Sequence, residues 1–163
     1  MKFSLVIPVA PDRDAPIIDF LKKMDYPKSQ FEIIVIKGKN PSENRNNGSE
    51  KAKGSIIGFL DDDAEVEPDF LKNVEKFFNK YKSIDIAGGP QLTPKSQKGF
   101  AKISGYALTS KFGAAGTVTR YKKGKLNLDV DESSLTSANL FVKKEVMKKI
   151  KFDPKLFPGE DPK

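Results

Sequence analysis

The sequence predicts an α/β fold in which an open, mostly parallel sheet is flanked by helices. Two observations carry this. Short β-branched apolar runs alternate along the chain with segments whose apolar residues recur at helical spacing. The runs FSLVIPV, FEIIVI and SIIGFL show little inside–outside alternation, as strands covered on both faces do. The length, 163 residues, suits one domain with a real core, so residues 1–163 are read as a single domain.

Taken in order, Phe3 to Val9 reads as the first strand. Ala15 to Met24 follows as a helix with Ile17, Ile18, Leu21 and Met24 on one side. Phe31 to Ile36 is the second strand. Ser42 to Lys53 is a polar helix, with Ser42 as its N-cap and Gly54 as its terminator. Ser55 to Leu60 is the third strand. Pro68 to Tyr81 is a helix whose apolar side carries Phe70, Leu71, Val74, Phe77 and Phe78, with Pro68 near its first turn. Ile84 to Gly88 is a short fourth strand. The second half is less regular: a loop from Gly88, a helix over Gly99 to Phe112, and the Gly- and Lys-rich stretch GAAGTVTRYKKGK as a substrate loop. A strand over Ser137 to Val142 and a basic helix over Lys143 to Ile150 complete the series.

Composition narrows the chemistry. The chain has no cysteine and no histidine, which excludes disulfides, thiolate metal sites and every imidazole-based catalytic arrangement. Acid–base work falls to Asp, Glu, Lys or Tyr, and any metal would be a hard cation held by carboxylates. The net charge of +7 favours polyanions, phosphorylated substrates or an anionic membrane surface. Lysine is spread along the whole chain, which argues against a dedicated nucleic-acid patch; its local peak, VKKEVMKKIK, reads as a solvated helix face. No apolar run reaches the length of a membrane span, and MKFSLVIPVAP is too short in its apolar part for a signal peptide.

The sharpest feature is FLDDDAEVEPDFL, with Asp61, Asp62 and Asp63 at the carboxyl end of a buried strand. Ligands bind at that edge of an open α/β sheet. In extended chain, residues two apart face the same way, so Asp61 and Asp63 would converge while Asp62 faces away. A divalent cation between them could also hold a diphosphate. Other carboxylate devices fit less well. A calcium loop would need Gly at Val66 and Glu at Lys72, and no P-loop or Gly-x-Gly-x-x-Gly follows any strand. A response-regulator phosphoacceptor could draw on Asp12, Asp14 and Asp61 but leaves the second half of the chain without a role. Glu65, Glu67 and Asp69 suit the positive end of the following helix.

KAKGSIIGFLDDDAEVEPDFL resembles the metal-binding segment of family 2 glycosyltransferases, inverting enzymes with the GT-A fold, a Rossmann-like open sheet. Three other stretches resemble that family in the same order: FSLVIPV its first strand, SENRNNG its Ala-Arg-Asn-x-Gly helix start, and SANLFVKKEVMKKIKFDPKLFPGED its closing pattern. The resemblance implies a sugar moved from a nucleotide-diphosphate-sugar donor to a hydroxyl on a glycan, lipid-linked or protein acceptor, with manganese or magnesium as cofactor. It implies Asp63 as the main metal ligand, Asp61 at the metal or the ribose, and Asp62 beside them in the donor site. Asp161 would be the general base, with Glu160 holding the acceptor. Pro8, Val9 and Asp12 would shape the nucleotide pocket near Arg45. By charge and position, Lys37 or Lys39 would contact phosphate, and Arg120 and Tyr121 would touch the diphosphate or the acceptor.

Two departures stand out. The family's acidic turn after the second strand is here Ile36-Lys37-Gly38-Lys39-Asn40, and a lysine cannot accept a hydrogen bond from a base N–H. The chain also ends two residues after Asp161, which suggests a member truncated at its C-terminus or an unusually short enzyme. The expected setting is cytoplasmic, at the cytoplasmic face of a membrane, with peripheral association and no nucleic acid. Rival readings are a non-catalytic nucleotide-sugar or metal-binding module and a sugar-phosphate nucleotidyltransferase, though PVAPDRD lacks the latter's Gly-rich loop.

Overall fold

A computed structural model describes residues 1–94, 97–131 and 134–156. Its order is β1 (Phe3–Val9), α1 (Ile17–Lys23), β2 (Phe31–Lys37), α2 (Pro41–Lys51), β3 (Ile56–Leu60), α3 (Phe70–Lys80), β4 (Ile86–Gly88), α4 (Gly99–Leu108), α5 (Lys111–Ala114), β5 (Asn139–Lys143) and α6 (Lys144–Met147). Short 3-10 turns cover Lys28–Gln30, Ala115–Arg120 and Pro154–Leu156.

The strands form one sheet in the order β2-β1-β3-β5-β4. β1 pairs in parallel with both β2 and β3. β5 runs antiparallel to β3 and to β4, and so separates two strands that are neighbours in the sequence. The sheet is thus mixed but mostly parallel, as expected.

Its two faces hold two cores. Phe3, Leu5, Ile7 and Val9 of β1 point to one face, where α1 (Ile17, Leu21) and α3 (Leu71, Phe78) cover them. Val6 points to the other face, with Ile57 and Phe59 of β3, Val142 of β5 and Met147 of α6. The predicted apolar side of α3 is the one that packs: Phe70, Val74 and Phe77 lie against the first core beside Leu71 and Phe78. Phe141 of β5 enters that core opposite Gly58, where a Cβ would stand 2.5 Å from its ring.

Several boundaries differ from expectation. Asn40, not Ser42, caps α2: its Oδ1 accepts the N–H groups of Ser42 (3.0 Å) and Glu43 (3.2 Å). Pro41 then takes the first helical turn, where a missing N–H is harmless. The C-cap is Ala52, ahead of Gly54. Asp69 occupies the N-cap position of α3, with Pro68 outside the helix. The helix expected over Gly99 to Phe112 is broken into α4 and α5, and the Gly- and Lys-rich loop opens with the 3-10 turn Ala115–Arg120.

Candidate functional site

The parallel pairing of β1 with β3 sets their carboxyl ends side by side. Three segments meet there: the loop after β1, the acidic turn after β3, and the first turns of α2.

Asp61 to Ala64 is a tight turn, in which Ala64 N–H donates to the Asp61 carbonyl at 3.3 Å. A turn abolishes the two-residue alternation of extended chain, and the three carboxylates sort differently from expectation. Asp61 and Asp63 do not share a partner while Asp62 faces away. Arg13, from the loop after β1, bridges Asp62 Oδ1 (3.0 Å) and Asp63 Oδ2 (3.1 Å). Asp61 instead faces Arg45 Nη2 at 3.8 Å.

Asp62 is buried and Asp63 exposed. Burial pushes the Asp62 carboxyl above the ordinary aspartate value; Arg13 pulls it back only in part, and neighbouring Asp63 adds to the rise. The Asp62 carbonyl also accepts Ile17 N–H at 3.1 Å. Asp62 therefore braces the acidic turn against the start of α1.

Around this turn the other expected residues take distinct places. Val9 is buried at the end of β1, and its carbonyl accepts Gly38 N–H at 3.0 Å. Pro8 is half-buried beside it, and Asp12 is exposed in the following loop. Lys37 Nζ donates to the Arg13 carbonyl at 3.0 Å, so it steadies the loop that carries Arg13.

The segment SENRNNG forms most of α2, and the geometry gives each of four residues a task. Asn44 Nδ2 donates to the carbonyls of Gly38 (3.0 Å) and Val9 (3.4 Å), tying the ends of β1 and β2 together. Arg45 is buried, with its guanidinium 5.6 Å from the Phe152 ring centroid. Asn46 makes a reciprocal pair with the Phe152 backbone, donating to its carbonyl (2.8 Å) and accepting its N–H (3.0 Å). Gly48 lets the helix lie directly on β1, because a Cβ there would stand 2.3 Å from Val6 Cγ1. Phe152 in turn meets Phe59 edge-on, with centroids 5.1 Å apart. Arg45 is thus held from below by aromatic packing, a better mount for a guanidinium than for an ammonium.

Arg45 and Asp61 open onto a cleft of about 310 Å³, completed by Gln91, Tyr121, Thr136, Ser137 and Ala138. The wall is knitted by Gln91, whose N–H donates to the Arg120 carbonyl (2.6 Å) and whose Nε2 donates to Thr136 Oγ1 (3.1 Å). Thr136 and Ser137 are buried. Of the expected pair in the Gly- and Lys-rich stretch, Tyr121 lines the cleft, while Arg120 supports the wall through its carbonyl.

Among the described residues no cluster of three or more Asp or Glu could by itself enclose a metal ion. The carboxylates of Asp61 and Asp63 are nonetheless hard oxygen donors of the kind magnesium and manganese prefer. Those ions commonly take one or two carboxylates and fill the remaining positions with phosphate oxygens and water. Glu160 and Asp161 lie outside the described residues. Sequence reasoning picked out SENRNNG but gave Asn44 and Asn46 no role, and it missed Gln91, Thr136 and Ser137. Those three sit in loops without a local signal, brought to the cleft by β4 and β5.

The model of the family described as "Glycosyl transferase family 2" matches residues 10–151. The minor teichoic acid biosynthesis protein GgaB of Bacillus subtilis (strain 168) is 33% identical over 145 residues, 85% of this chain but 14% of GgaB. Among solved structures, Staphylococcus aureus TarS in complex with UDP superposes with a TM-score of 0.69 at 17% identity, over 99% of this chain and 53% of that one. The mannosyltransferase PcManGT from Pyrobaculum calidifontis, solved with GDP-Man and Mn2+, gives 0.59 at 15% identity, over 98% of this chain and 49% of that one. The chain therefore spans about half the length of these solved relatives and far less of GgaB. The mixed sheet, with α2 seated on β1 and the acidic turn following β3, is the GT-A fold. With the family match running from the loop after β1 to the threshold of Phe152, the chain belongs to glycosyl transferase family 2.

Proposed function

We propose that this chain is the donor-binding and catalytic part of a glycosyltransferase that moves a sugar from a nucleoside-diphosphate sugar to an acceptor hydroxyl with inversion. The observation that supports it most is the polar cleft at the carboxyl edge of the sheet, where buried Arg45 lies beside half-buried Asp61. In this reading Arg45, mounted on Phe152, faces the diphosphate from a site of lowered dielectric, where its charge acts more strongly than at the surface. Asp61 and Asp63 are the carboxylates that would hold a manganese or magnesium ion, with Asp63 drawn away from Arg13. The ion, when bound, offsets the negative charge that develops on the departing nucleoside diphosphate.

Asp161 takes the role that its match to the family motif implies. It accepts the proton of the acceptor hydroxyl as that oxygen bonds to the anomeric carbon, on the face opposite the breaking bond to phosphate. Glu160 orients the acceptor. Asn46 and Asn40 hold the chain that leads to them, Asn40 Nδ2 by donating to the Pro154 carbonyl at 3.0 Å. TarS has been solved with UDP-GlcNAc and PcManGT with GDP-Man, so uridine and guanosine donors are both candidates. The name of GgaB favours a hydroxyl on teichoic acid as acceptor.

The test is calorimetric titration with UDP, GDP and dTDP, with and without Mn2+, on the chain and on Asp61→Asn and Asp63→Ala. Metal-dependent binding of one nucleotide, lost in both variants, is the expected result. A folded chain that binds none of them, with metal or without, overturns the donor-site reading. Binding with neither transfer nor hydrolysis would leave a nucleotide-sugar-binding module.

A further inference from the structure

From the chain between β4 and β5 the cleft takes Gln91, Tyr121 and Thr136 to Ala138, and much of the remainder has an unusual composition. From Ile86 to Leu128 the sequence holds eight lysines and arginines and no aspartate or glutamate. The whole chain has a net charge of +7, so this stretch alone accounts for all of it. What is uneven along the chain is therefore the placement of acids rather than of lysines.

The same stretch exposes its apolar residues. On α4, Phe100 is 83% exposed, Ile103 65% and Tyr106 62%. At three-residue spacing they fall within an arc of about 120° around the helix. Phe112 on α5 is fully exposed. An amphipathic helix ordinarily turns such a stripe inward, as α3 does with Leu71 and Phe78. Here the stripe faces outward with Lys102 exposed on the same helix and Lys98 exposed at its N-cap, and Lys122, Lys123 and Lys125 are exposed farther along.

Two forces are thus combined on one segment. Lysines alone would suit any polyanion, a nucleic acid or a hydrated phosphate polymer included. Exposed Phe and Ile gain nothing from such a polymer, but they do gain from leaving water at the acyl boundary of a bilayer. We propose that α4 and the lysine-rich chain after it form a docking face for an anionic phospholipid surface. Phe100, Ile103 and Phe112 enter the interface, and the lysines meet lipid phosphates. The lack of acids removes the repulsion that a negatively charged leaflet would otherwise impose. No helix among the described residues is long and apolar enough to cross a membrane, so the contact is peripheral.

Co-sedimentation with vesicles tests this. The chain is expected to pellet with equimolar phosphatidylglycerol and phosphatidylcholine, not with phosphatidylcholine alone, and to be released by added salt. Phe100→Ser with Ile103→Ser should weaken binding about tenfold or more. Lys122→Gln and Lys123→Gln should each weaken it about fivefold. All four side chains are exposed, so thermal melts of the variants should match the parent chain. Failure to pellet with the anionic vesicles overturns the proposal. So does binding that survives the Phe100→Ser, Ile103→Ser pair while soluble polyphosphate competes it away, which would mark a face for hydrated polyanions. A dimer seen by light scattering that the same pair dissolves, with vesicles left bare, would assign the stripe to self-association instead.

Discussion

Replacing Gly48 by alanine adds one methyl group at the point where α2 rests on the central strand. Its Cβ would stand 2.3 Å from Val6 Cγ1 and 3.1 Å from Val6 Cγ2. Optimal carbon–carbon separation is about 3.5–4.0 Å, so the closer contact is short by more than an ångström. Val6 cannot yield: it is fully buried, β-branched, and held on a strand paired on both sides. Overpacking of this kind costs about 1–3 kcal/mol, and so short a contact belongs at the upper end. Alanine recovers about 1 kcal/mol of helix propensity. The net expectation is a loss of about 2 kcal/mol, or roughly 4–8 °C in melting temperature. Urea denaturation should show a lower midpoint with an unchanged slope. Because α2 carries Arg45 and Asn46, its displacement should also weaken nucleotide binding in the titration described above. Adding Val6→Ala makes room for the methyl group, so the double variant should be more stable than the sum of the single losses predicts. A Gly48→Ala chain as stable as its parent, or more so, would refute the close-packing argument.

Three further outcomes are expected. Glu32 accepts from Ser4 Oγ (2.6 Å) and Lys53 N–H (2.7 Å); burial alone would raise its pKa, but these bonds outweigh it and hold the carboxyl below the ordinary value. Its folded pKa is therefore lower than its unfolded one, so its contribution is present above the unfolded value and lost as pH falls through the folded one. Glu32→Gln should cost about 1 kcal/mol at neutral pH and progressively less as the solution is acidified, as urea midpoints along a pH series will show. Asn46→Ala removes both bonds to the Phe152 backbone; it should lower stability by about 2 kcal/mol and expose the segment after α6 to limited proteolysis before the sheet is cut. Arg13→Ala deletes two ion pairs of a half-exposed guanidinium; exposed Asp63 loses little, but buried Asp62 loses this cation, so stability should fall by about 1–3 kcal/mol. With its competitor gone from Asp63, Mn2+ binding to the nucleotide-free chain should tighten in calorimetry; unchanged or weaker binding would separate Asp63 from any metal.

Much of this protein could be read from residues in a row. FSLVIPV and SIIGFL declared themselves as central strands because a strand buried on both faces has no polar side to show, and β1 and β3 are such strands. The inward side of α3 followed from its spacing. The family resemblance rested on short motifs whose order survives in the linear chain. Tertiary structure decided what depends on partners far apart. No local pattern announces that β5 will enter between β3 and β4, since its partners lie some eighty residues upstream or beyond a long irregular stretch. Asn40 rather than Ser42 caps α2 because the chain enters from β2 in a way that points the asparagine at the helix. The three aspartates were legible as a site, but their division was not. Extended chain would pair Asp61 with Asp63; the turn closed by Ala64 gives Asp62 and Asp63 to Arg13 and leaves Asp61 to Arg45. Residue type and order determine which chemistry a segment can supply, whereas the partner each charge meets is set by backbone dihedrals and by loops that only the packed sheet brings together.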